Sequence, residues 1–108
     1  KLDLQIAMNK QADAEDKVTL QLEKNKVELE IASSQIEIKN VALRLAQNAM
    51  DQATKEYELG LIKSMELIDA ENELQLAQLA YTQAIFQQRR AAISYLEAAG
   101  TLETIKLK

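Results

Sequence analysis

Nothing in this chain obliges its backbone to turn except two glycines, Gly60 and Gly100, because its 108 residues contain no proline. Few elements are therefore expected, and long ones. The sequence predicts an all-α fold: one long antiparallel helical hairpin of coiled-coil type. The first helix is expected over residues 2–59, the turn over 60–63 and the second helix over 64–99, leaving 100–108 as a tail without assignment. At ~1.5 Å per residue the helices would be roughly 85–90 Å and roughly 50–55 Å long. Gly60 suits the left-handed position that ends a helix, and Leu61 can fold back over the last turn. Ser64 is the expected N-cap of the second helix. Glu66 and Asp69 follow it, where the helix dipole favours negative charge. Gly100 is expected to close the second helix as Gly60 closes the first.

Periodicity says how such helices pack. In the first helix Leu22, Leu29, Ile36, Leu43, Met50 and Tyr57 recur every seven residues. Call that position a. Ala32, Ala46 and Ala53 fall beside it at d. A second apolar pair of lines has Leu20, Val27 and Val41 at f and Ile31, Ile38 and Leu45 at c. At ~100° per residue the a/d and c/f pairs point in nearly opposite directions. Between them, position b is charged: Glu23, Glu30, Glu37, Arg44, Asp51 and Glu58. The second helix repeats the scheme. Its a line carries Leu67, Leu74 and Tyr81 and resumes at Tyr95; its d line is Ala70, Ala77, Ala84, Ala91 and Ala98. Leu79, Phe86 and Ile93 run along the far side. Alanine is the best helix former wherever it stands, but that does not place five in one register. Close helix approach along that seam does.

A two-stranded coiled coil needs one seam per helix. A helix with two opposed seams packs against a neighbour on each side. Repeated laterally, this makes a curved or closed wall with polar inner and outer faces, supercoiled to the left by the seven-residue period. A helix buried in an ordinary four-helix bundle would instead show a continuous apolar arc, not one split by a charged line. The antiparallel pairing is expected to bring Leu45 close to Leu79 and Ile38 near Phe86, with the first two dozen or so residues overhanging. The isolated hairpin is expected to self-associate through its free seams or to be only marginally stable.

Composition narrows the function. Hydrophobic residues are 47% of the chain but aromatics only 4%, a palette for helix seams rather than a globular core. A lone hairpin cannot cover both sides of each helix, so the chain is expected to belong to something larger. There is no cysteine and no histidine. Disulfides, thiolate chemistry, Cys/His zinc sites and histidine-based acid–base catalysis are thereby excluded. Paired carboxylates occur without a nucleophile–base pair or a metal-ligand cluster, so no catalytic site, cofactor, metal or enzymatic activity is expected. With 13 basic against 17 acidic residues the net charge is −4, which argues against nucleic acid as a partner. No apolar run approaches the ~20 residues of a membrane-spanning helix. The start at Lys1 suggests an excised segment of a longer, processed protein.

Around the turn, Tyr57-x-x-Gly60 is followed by Glu66-Leu67-Ile68-Asp69-Ala70, an alanine-rich helix, and Leu96-x-x-Ala99-Gly100-x-Leu102. This ordered set resembles the C-terminal half of TolC-like outer-membrane efflux proteins; the resemblance covers about residues 42–102, and upstream it rests on heptads and composition. The resemblance implies a homotrimer with a periplasmic α-helical barrel. Its hairpin tips form the channel entrance and dock a membrane-fusion adaptor protein, which links to an inner-membrane transporter. Contact with the membrane would run only through a β-barrel outside these residues. The implied function is a conduit segment for type I secretion or multidrug efflux. The alternative is a structural or adaptor coiled-coil hairpin, of the membrane-fusion type or a scaffold. One departure stands out. The family commonly has Ser or Thr three residues after the glycine, where this chain has Lys63. Either Ser64 caps the helix from a shifted position or the tip loop differs.

Two groups at the tip are candidate sites. The family's acidic pair near the channel entrance maps onto Glu66 and Asp69. Three-fold copies of them would ring a constriction and favour cations; the simpler reading is dipole compensation at a helix start, and Glu71 or Glu73 could serve the ring equally well. Gly60, Leu61, Ile62, Lys63 and Ser64 form the expected adaptor-docking tip. Leu61 alone fits an ordinary turn contact, but Ile62 adds more apolar surface than a turn needs. Arg89 and Arg90 read as a solvated pair facing acidic side chains of the first helix.

Overall fold

The computed structural model describes the backbone over residues 2–107 and the side chains of residues 10 and 12–105. Two helices make up the chain, α1 at Leu2–Glu58 and α2 at Ser64–Leu107, joined by a short turn. The fold is an all-α helical hairpin, as the sequence predicts. One boundary differs. α2 does not stop at Gly100 but runs on to Leu107, so the expected tail is helix. Among the described residues only Gly60 has a positive φ, 75°. Gly100 keeps helical geometry, and Thr101 and Thr104 donate from their side chains to the carbonyls of Glu97 and Gly100.

The contacts divide the chain into two units. In the unit Ala32–Gln88, the a and d lines are the ones withdrawn from solvent. Ile36, Leu43, Ala46 and Met50 on α1 and Leu67, Ala70, Leu74, Ala77 and Tyr81 on α2 are half-buried. Ala84 and Ala53 lie deepest, 3% and 9% exposed. The two most buried residues of this unit are thus both alanines of the d line. Tyr57 departs from its predicted place in the seam. It is 45% exposed, in the last turn of α1, where the seam ends.

The second unit comprises Lys1–Ile31 and Arg89–Lys108. Here too a and d carry the seam: Val18, Leu22 and Leu29 on α1 and Ala91, Tyr95, Ala98, Leu102 and Ile105 on α2 are half-buried. The overhang expected of α1 is shortened, because the extra turns of α2 supply partners. At the middle of this seam lies Asn25, a d position and only 7% exposed. Its Nδ2 donates to the main-chain oxygen of Ser94 at 3.2 Å, and its Oδ1 accepts from Gln21 Nε2 at 3.0 Å. A buried amide satisfied in this way fixes the stagger of two helices. Ala91 and Ala98 flank Ser94 one turn to either side, leaving the room for a short side chain to reach the carbonyl.

The c/f lines are on the outside. Ile38, Val41, Leu45, Leu79 and Phe86 in the first unit, and Leu20, Val27, Ile31 and Ile93 in the second, are all exposed. This corrects the expected pairing of Leu45 with Leu79 and Ile38 with Phe86. Those residues stand on the faces turned away from the a/d seam, and it is a and d that the hairpin uses to close.

Candidate functional site

The tip is built from two helix ends with unequal chemistry. α1 ends in a double hydrogen bond: Leu61 N donates to Glu56 O at 2.8 Å and Gly60 N to Tyr57 O at 3.0 Å. This is the Schellman arrangement, with Gly60 in the left-handed position it requires. A Cβ on Gly60 would meet nothing within 4 Å, so the demand for glycine there comes from φ and not from crowding.

The start of α2 overturns the sequence expectation for Ser64. Glu66 N and Leu67 N both donate to Lys63 O, at 3.1 and 3.3 Å. The residue whose carbonyl opens the helix is therefore Lys63, and Ser64 is the first residue inside it. The cap position is the one three residues after the glycine, and here it holds a side chain with no acceptor. Lys63 also places a positive charge at the positive end of the helix dipole, a placement that costs about 0.3–1 kcal/mol.

The apolar surface of the tip is not arranged as the sequence suggested. Leu61 does not fold back over α1; it is 70% exposed. Ile62 is the half-buried one. Leu59 and Met65, which sequence reasoning passed over, are 74% and 67% exposed. The exposed apolar residues of the tip are thus Leu59, Leu61 and Met65, and Lys63 is exposed as well. The missed signal was simple: a c residue in the last turn and an f residue in the first turn fall on the far side from the seam.

Glu66 and Asp69 are both exposed on the first two turns of α2, as are Glu71 and Glu73. Glu66 occupies the third helical position, where a carboxylate can reach back toward the cap. Arg89 and Arg90 are also exposed. They hold positions b and c of α2, opposite its seam, rather than facing α1 across it.

No protein-family model matches this chain, and neither a curated protein nor a solved structure matches it significantly. Among the described residues no helix is long and apolar enough to cross a membrane.

Proposed function

We propose that this hairpin is a wall segment of a periplasmic helical conduit, in a homotrimeric outer-membrane efflux or type I secretion channel. Its tip forms the channel entrance and docks a membrane-fusion adaptor, through which an inner-membrane transporter engages. The observation that carries the reading is the unspent second face. After the a/d seam has closed the hairpin, both helices still present an apolar row to solvent, and no large side chain among the described residues is fully buried. Such helices gain by having a neighbour on each side. The ordered motifs around Gly60 and Gly100, resembling those of TolC-like proteins, supply the direction of the proposal.

Thiol labelling tests it, because the chain has no cysteine of its own. In the full-length protein, Val41→Cys and Phe86→Cys should be shielded from a water-soluble reagent while assembled and react when the assembly is dissociated. Free reaction in the assembled protein would overturn the wall. At the tip, Leu61→Ser with Leu59→Ser should abolish export and leave conductance intact. Glu66→Ala with Asp69→Ala should weaken cation preference in single-channel recordings. Unchanged export or unchanged selectivity would remove the corresponding role.

A further inference from the structure

We infer that the unit Lys1–Ile31 with Arg89–Lys108 opens as one cooperative piece, latched by Asn25, while the unit Ala32–Gln88 and its Gly60 turn stay paired. Such opening is a property of the hairpin itself and does not rest on the wall reading.

The seam is thinnest where the units divide. The division falls after Ile31 on α1 and after Gln88 on α2. The a line of α2 reads Leu67, Leu74, Tyr81, Gln88, Tyr95 and Leu102, and Gln88 is its one residue without a large apolar body. From Tyr81 to Tyr95, ~20 Å of helix, the a and d positions hold only Ala84, Gln88 and Ala91. The d line of α1 weakens too: Ala32 stands between Asn25 and half-buried Lys39. Closure of one unit therefore adds little to closure of the other. The units are also unequal. Ala32–Gln88 contains the turn, so its helices close a loop of only a few residues. Its buried residues are the apolar Ala53 and Ala84. The other unit has no turn, and its buried residue among those described is an amide, Asn25, bonded to Ser94 O and to Gln21. A hydrogen bond gained at the loss of water contributes little net stability. Most helical stability comes from packing of an apolar face, so an unpaired α2 segment with Gly100 inside it exchanges its amides.

Amide hydrogen exchange of the chain at fixed concentration, read residue by residue, tests this. Ala91–Thr101 and Val18–Leu29 should share one level of protection, at least about tenfold below that of Leu43–Met50 and Leu74–Ala84. Leu43→Ala weakens only the unit that stays paired. It should lower protection there at least about tenfold and leave Ala91–Thr101 unchanged. Asn25→Ala removes the latch and should lower protection in both units by one common factor of about ten, because the first step of opening precedes the second. Gln88→Leu fills the gap in the a line and should raise protection across Ala91–Thr101 about tenfold. Gln83→Leu, the same exchange at an exposed c position, should not. Protection that climbs smoothly from the chain ends toward the turn would overturn the inference, since that is plain fraying. So would a single level throughout, or Leu43→Ala lowering both units alike. A Gln88→Leu chain with Ala91–Thr101 unmoved would remove Gln88 as the gap and overturn the division at that residue. Should a variant lose helicity, the two levels of the parent chain still decide.

Discussion

Gly60 and Gly100 are the same residue in similar company, yet one ends a helix and the other is carried through one. Intrinsic preference cannot separate them, since glycine weakens any helix interior by about 0.5–1 kcal/mol. The seam separates them. Extending the heptad of α1 past Tyr57 puts Gly60 at d and Ser64 at a, so the next turn of helix would bring nothing apolar to the partner. Extending α2 past Gly100 puts Leu102 at a and Ile105 at d, and both are half-buried. Two apolar side chains on the seam outweigh one glycine. A glycine therefore breaks a coiled-coil helix where the apolar register also lapses, and is tolerated where the register continues.

The largest expected effect removes that support. Leu102→Ser with Ile105→Ser should cost about 2–3 kcal/mol and strip amide-exchange protection from Thr101 onward; protection that survives would mean the helix beyond Gly100 needs no seam. At the other glycine, Gly60→Ala forces a Cβ into left-handed geometry and should cost about 1–2 kcal/mol in urea unfolding. A neutral result there would show that the turn can be rebuilt without a positive φ. Lys63→Ser supplies the missing cap acceptor and completes a Ser-x-x-Glu capping box with Glu66. It should raise stability by about 1 kcal/mol, and no gain in melting temperature at fixed chain concentration would mean Lys63 does not open α2. Gly100→Ala should be the smallest change and opposite in sign to Gly60→Ala, a gain of about 0.5–1 kcal/mol, because its Cβ would meet nothing within 4 Å. A loss at Gly100 would erase the distinction between the two sites.

The hairpin, its turn at Gly60 and the two opposed apolar faces were legible because they follow from spacing, and spacing survives without coordinates. What was not legible depends on competition between neighbours. Gly100 reads as a stop until Leu102 and Ile105 are counted as seam residues. Ser64 reads as a cap because serine prefers that position, but the Schellman turn after Gly60 delivers Lys63 there first. Leu61 and Ile62 look interchangeable in sequence, and only the path of the turn decides that Ile62 is half-buried and Leu61 is not. The c and f residues were recognised as a second seam yet assigned to the wrong partner, because periodicity names the faces of a helix without saying which face its hairpin mate will take. Asn25 could have been found as the amide in an otherwise largely apolar d line.

The Asn25 contact ends on a main-chain oxygen and not on a side chain. Position 94 can therefore drift through any residue that tolerates a helix and still offer the same acceptor, whereas position 25 needs an amide of that one length. Across relatives of this hairpin, the signature would be a fixed asparagine with no co-varying partner. Contact inference from correlated substitutions would pass over the hydrogen bond by which Asn25 joins the helices of this unit.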